Sequence, residues 1–312
     1  MTGFRKAFHL RSHSLALSLL ILGSLVGANL LSSHQVSANH PVLVEGNCDS
    51  PVPGTTLVTL AGTCGDFDGD GRIGTAEDTD GADRIFGTIN AALGPGTGAA
   101  AGTGANMNGS VTIVTSGRFP EAVVIAPGLA NGFLGNVTLQ AAPGVSAEIN
   151  AILQGDPAGG SVTRTTLTGI TVSANSNASR VVLRNLTIRN FAIGVNILGN
   201  GRVTMDNCRL ENNLDYGIRL VEDGRVTGEN LRIASTGFRR GTGSSTPTAG
   251  TGHAISFEGG SAGTIFHSQI TGSFAAAISN TSTRGAGAVR YYEVFLSHNA
   301  AGIVNATREN TP

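Results

Sequence analysis

Val181-Val182-Leu183-Arg184-Asn185-Leu186-Thr187-Ile188, Val203-Thr204-Met205-Asp206-Asn207-Cys208-Arg209-Leu210 and Val226-Thr227-Gly228-Glu229-Asn230-Leu231-Arg232-Ile233 are three copies of one pattern. Their asparagines, Asn185, Asn207 and Asn230, recur at intervals of 22 and 23 positions. Each copy leads into a second short apolar segment: Gly194-Val195-Asn196-Ile197, Gly217-Ile218-Arg219-Leu220 and, after an insertion, Ala254-Ile255-Ser256-Phe257. Two weaker copies follow, carried by Ile270 with Ala277-Ile278 and by Leu296 with Gly302-Ile303. A fixed period of this length marks a repeat architecture.

Within each copy the apolar residues alternate, so Val181 and Leu183, Leu186 and Ile188, Cys208 and Leu210, Leu231 and Ile233, and Val294 and Leu296 fall on one side of extended chain. Val203 with Met205, Val195 with Ile197, Ile218 with Leu220 and Ile255 with Phe257 add further inward pairs, about three short strands per repeat. One such repeat cannot bury its own apolar side. Stacked as parallel strands about 4.8 Å apart, successive repeats share one continuous core. The fold predicted is a parallel β-helix, all-β apart from a short helix at its start.

This pattern resembles the pectin-lyase-like superfamily of right-handed parallel β-helices. The resemblance extends upstream: Asp83-Arg84-Ile85-Phe86-Gly87-Thr88-Ile89-Asn90-Ala91-Ala92-Leu93 is similar to the amphipathic capping helix of such a solenoid. Val111-Thr112-Ile113-Val114, the stretch Gly117-Arg118-Phe119-Pro120-Glu121-Ala122-Val123-Val124-Ile125, and Asn136-Val137-Thr138-Leu139 are similar to its first coils. The organisation expected is a leader over 1–38, an N-terminal segment over 39–82, and a right-handed parallel β-helix over 83–312 with its capping helix at 83–93.

Composition agrees with turns and short strands. The chain of 312 residues has 45 Gly, 13% charged residues, 5% aromatics and no Trp. Basic and acidic residues number 20 and 21, which leaves no basic excess to hold nucleic acid or an anionic membrane.

At the N-terminus Arg5, Lys6 and Arg11 precede an apolar run over 15–31 and then Val36-Ser37-Ala38, the order of a secretory signal peptide with cleavage after Ala38. An uncleaved anchor is the alternative that the length of the run also permits. No later segment is apolar enough to span a bilayer, and the body is expected outside the cytoplasm, secreted or at the cell surface. Lys6 is the sole lysine. The mature chain therefore carries a net charge of about −4 and no lysine amine for Schiff-base chemistry.

Export favours pairing of thiols. Cys48 and Cys64, close together in a Gly/Pro-rich stretch, are the expected disulfide, and Cys208, at an inward repeat position, is expected to be a buried apolar residue.

Asp66-Phe67-Asp68-Gly69-Asp70-Gly71-Arg72-Ile73-Gly74-Thr75-Ala76-Glu77 fills the twelve-residue EF-hand template. Asp66, Asp68 and Asp70 offer hard carboxylate oxygens, Arg72 its main-chain carbonyl and Glu77 both of its oxygens, while Gly71 permits the sharp turn. Calcium is the cofactor expected. The flanks lack helical patterns and no second loop is present, so the motif is similar to the single dockerin-like loops of extracellular proteins, which implies a structural ion. An acidic turn without metal is the plainer alternative.

Outward positions supply the candidate ligand face. Arg189, Arg209, Glu211 and Arg232 follow one another from coil to coil and are expected to stack laterally, where Arg209, Glu211 and Arg232 would grip an acidic sugar. In a lyase an Arg would act as base. A solvated face with weak ion pairs accounts for the same residues.

The resemblance brings its own test. Polygalacturonase-like hydrolases carry Asn-Thr-Asp, paired Asp, Gly-His-Gly and Arg-Ile-Lys; here only Gly252-His253-Ala254 approaches one of these, and no lysine completes the last. His253 occupies the position of Ile193 and Tyr216 in other coils, which makes it a repeat residue first. Tyr216, Tyr291 and Tyr292 are the aromatic options for stacking on a sugar. The functional expectation is an exported, calcium-binding and non-catalytic β-helix that binds an extracellular polysaccharide or a cell-surface component. A polysaccharide lyase or glycoside hydrolase is the alternative.

Overall fold

A computed structural model of the chain describes residues 42–45, 84–86, 88–93, 109–126, 136–151, 167–174, 179–237 and 251–309. The leader, Cys48, Cys64, the acidic loop at 66–77 and the insertion at 238–250 lie outside the described residues.

The chain winds as a right-handed parallel β-helix. One coil consists of Arg180–Arg184, Leu186–Arg189 and Ile193–Gly199, and the next of Arg202–Asp206, Arg209–Glu211 and Tyr216–Leu220. The third strands of successive coils form a seven-stranded sheet among the described residues. The first and second strands form a larger sheet, joined where Ala262–Thr271 runs through both positions without a break. Every pairing is parallel, and the register follows the repeat: Val203 lies between Val181 and Val226, and Leu210 between Ile188 and Ile233. The inward pairs predicted from alternation are buried as one cluster, while Val294 and Leu296, in the last coil, pack against it half-exposed.

Each corner between first and second strands is made by one residue. Asn185, Asn207 and Asn230 all have φ near +55°, the left-handed region that asparagine tolerates because its short side chain bonds locally. This accounts for the asparagine that defines the repeat. A second corner, after the second strand, uses Asn190 and Asn212 in the same conformation. Beside it, the buried amide of Asn213 donates to the Ile188 carbonyl and its oxygen accepts from the Phe191 N–H, so the turn's main-chain groups are satisfied internally. Asn299 does the same with Ile270 and Ser273.

Gly217 is required at its position for want of space. A Cβ there would lie 2.5 Å from the Ala254 carbonyl oxygen and 2.9 Å from the Ile233 side chain.

Two expectations change at the N-terminal side. The helix predicted over 83–93 is confined to Ile89–Leu93, and Arg84–Phe86 is a strand. The reason is pairing: Arg84–Phe86 lies alongside Val42–Val44, which in turn pairs with Gly109–Ile113. Val42–Val44, expected in the segment outside the solenoid, is thus part of its sheet. The helix is tied to the coils by Glu121, whose carboxylate accepts from the Ile89 and Asn90 N–H groups at 2.7 and 2.8 Å. Its Ile89, Ala92 and Leu93 join the core.

Candidate functional site

The expected Arg/Glu face forms on the second strands. Arg189 lies beside Glu211, and Arg209 beside Arg232, on consecutive coils. Arg209 donates to Glu211 Oε1 from Nη2 at 2.6 Å, and Arg189 spans from Glu148 to Glu211 at 3.5 and 3.9 Å. Arg118 reaches the same Glu148 at 3.6 Å. The face is therefore a chain of alternating charge, longer than the repeat had indicated because Arg118 and Glu148 come from earlier coils. Arg232 stacks on Arg209 without an ion pair among the described residues. Arg209 and Glu211 largely neutralise one another, and with Arg209 half-exposed such pairs are weak.

A second cluster lies on the third-strand sheet, whose preceding connection in one coil is the 238–250 insertion. Tyr216 and His253 are register partners, their rings stacked 6.2 Å apart at 29°. Arg219 holds its guanidinium 5.3 Å from the Tyr216 ring centre and donates to Glu258 through two parallel hydrogen bonds, Nε to Oε1 at 3.0 Å and Nη2 to Oε2 at 2.7 Å. The Ser256 hydroxyl adds a third at 3.1 Å. His253 Nδ1 accepts from the Ala276 N–H, which fixes the ring. One coil earlier, Asn196 Oδ1 is buried with no hydrogen-bond partner among the described residues.

The electrostatics follow from this geometry. Burial acts to raise the Glu258 carboxyl, but the Arg219 hydrogen bonds and charge, helped by Ser256 and His253, hold it below the ordinary range. The Tyr216 hydroxyl is pushed up by burial and then by the Glu258 charge, so it stays protonated as a donor. Arg219 is raised in turn by its bonds to Glu258. The result is an anchored carboxylate, a planar guanidinium and an aromatic face held together without free rotation. Sequence reading took His253 as a repeat residue and Tyr216 as an aromatic option for stacking on a sugar; it did not join them to Arg219 and Glu258, because alternation places Tyr216 and His253 on the same side as the inward Ile218 and Ile255.

A third cluster occupies the corner column. His267 and Glu293 take the asparagine position in later coils with φ of 48° and 50°. His267 Nε2 lies 2.9 Å from Glu293 Oε2, and Phe266 stacks on Tyr292 at 5.0 Å.

Cys208 is a free, buried thiol, pushed up to about 12 by burial. Among the described residues no group of three or more His, Cys, Asp or Glu is placed to hold a metal, and no helix is long and apolar enough to cross a membrane.

No curated protein matches the sequence. The crystal structure of pectate lyase Pel9A superposes with a TM-score of 0.37 at 14% identity, over 75% of each chain, a likeness that bears on neither the activity nor the substrate of this chain. Residues 154–290 match the family model for a right handed beta helix region, the same coils in which the repeat, the corner asparagines and the parallel register define a right-handed parallel β-helix.

Proposed function

We propose that the protein is a non-catalytic, polysaccharide-binding β-helix, exported and stabilised by calcium at the 66–77 loop, with the third-strand face around Tyr216 and Arg219 as its sugar-binding surface. The observation that carries this reading is the Arg219 guanidinium set over the Tyr216 ring while doubly hydrogen-bonded to Glu258. Sugars offer an apolar ring face and edge hydroxyls; an aromatic face flanked by a fixed donor and a fixed acceptor matches both. Glu258, kept ionised by Arg219, is poorly suited to donate a proton to a glycosidic oxygen, which favours binding over hydrolysis. Arg209, Glu211 and Arg232 are a secondary contact surface in this proposal, since two of the three engage each other.

Affinity electrophoresis through gels containing a panel of neutral and acidic polysaccharides tests the reading. Retardation by at least one of them, lost in Tyr216→Ala and Arg219→Gln proteins that remain folded, is expected. Migration unaffected by every glycan would reject the proposal, and release of unsaturated products from polyuronates would replace it with the lyase alternative.

A further inference from the structure

The outward column at the start of the first strands reads Arg180, Arg202, Arg225 on three consecutive coils, set side by side by the register. Parallel pairing puts them about 4.8 Å apart. Like charges directly opposed on a sheet are unfavourable, and the usual remedy is an intervening carboxylate. The second-strand face uses that remedy, with Glu148 and Glu211 set among Arg118, Arg189 and Arg209. The first-strand column does not: none of the three arginines forms an ion pair with a described carboxylate. Arg180 and Arg225 are exposed, and Arg202 has its Nε buried without a hydrogen-bond partner among the described residues.

The column opens onto a groove. Beyond Arg225 its next position is Ala262, and a trough there is lined by the small residues Ala262, Gly263, Gly287 and Ala288, by Arg225, Arg284 and Arg290, and by the hydroxyl-bearing Thr227 and Thr264. Arg284 engages Asp223 at 2.8 Å and Arg290 engages Glu309 at 2.9 Å, so these two are partly neutralised, while Arg225 is not. A linear ligand laid along the helix axis would meet one guanidinium per coil and then settle into the trough.

We infer that this ladder and trough bind an anionic polysaccharide, at a site separate from the Tyr216 face and in addition to it. A repeating anion answers the unpaired like charges of the column, and planar guanidinium groups pair with carboxylate or sulfate oxygens two at a time. The trough has threonines for sugar hydroxyls and no aromatic platform for bases, which single-stranded nucleic acid would call for.

The test uses the full chain and an Arg180→Gln/Arg202→Gln/Arg225→Gln variant, with Tyr216→Ala as comparison. Binding to polygalacturonate and to dextran sulfate is measured at low and raised salt, with plain dextran as the uncharged control and an oligonucleotide of matched charge. Expected is salt-sensitive binding to at least one of the two polyanions, weakened tenfold or more in the triple variant and retained in Tyr216→Ala; which one binds separates carboxylate from sulfate recognition. The triple variant should melt at the same temperature or higher, because it relieves repulsion. The inference is overturned if the triple variant binds like the parent, if Tyr216→Ala loses the polyanion as well, or if the oligonucleotide binds as tightly as the glycans. Failure of the Tyr216 proposal leaves this result unaffected, since the two faces are altered by different substitutions.

Discussion

The side-chain amide of Asn207 donates to the side-chain oxygen of Asn185 across 2.9 Å, one coil to the next, while both residues hold the left-handed backbone conformation. The same residue type thus serves the corner twice, by tolerating its φ and by linking it to its neighbour. Replacement by alanine removes the link and places an ordinary residue at φ of 50°. Asn207→Ala should cost about 1–2 kcal/mol for the backbone and about 1 kcal/mol for the bond. Asn207→Gly should recover the backbone part, and denaturant titration of the two variants measures the difference.

Leu210 is fully buried between Ile188 and Ile233, whereas Arg209, its neighbour, is outward. Leu210→Ala is expected to lose about 2–5 kcal/mol through lost burial and the cavity left behind. Arg209→Ala should lose at most about 1 kcal/mol. Equal losses in equilibrium unfolding would contradict the register.

Cys208, with its thiol pushed up to about 12 and no exposed surface, should resist alkylation in the native protein. Mass spectrometry after labelling without reduction should find it modified only in denaturant. Cys48 and Cys64 should resist labelling in both states until reduced, as expected of a disulfide.

Glu258 is held below the ordinary carboxylate range in the folded state, so between its folded and unfolded values the unfolded chain binds the extra proton. Its contribution to stability is complete above the ordinary range and is lost as pH falls through the folded value. A Glu258→Gln variant should therefore show a flatter acid limb in a plot of stability against pH, with the largest difference from the parent near neutrality. Identical curves would show that Arg219 does not hold the carboxylate.

The acidic loop is expected to bind about one calcium ion per chain through Asp66, Asp68, Asp70, the Arg72 carbonyl and Glu77. Calorimetry of the mature protein should record binding that an Asp66→Ala/Glu77→Ala variant lacks. No heat in the parent would remove calcium from the proposed function.

Sequence alone carried the solenoid, because its determinants are local and repeated. Alternation at period two selects the buried side of each strand, and the recurring asparagine supplies the one backbone conformation that a tight corner needs, so both can be read from Asn185, Asn207 and Asn230 without coordinates. The second-strand charges were legible in part for the same reason: Arg189 and Glu211 each stand four positions after the asparagine of their coil, and Arg209 and Arg232 each stand two after theirs. Only the tertiary structure decided which outward side chains meet. Arg219 and Glu258 are 39 positions apart, across an insertion that breaks the period, and their hydrogen bonds depend on how two coils are stacked after that interruption. Val42–Val44 joins the sheet from the far side of the acidic loop, a pairing with no periodic signal to announce it. Arg180, Arg202 and Arg225 stood in plain view in the repeat, yet whether each had a carboxylate beside it was settled by the packing of turns from other coils, where Asp223 is held by Arg284 instead.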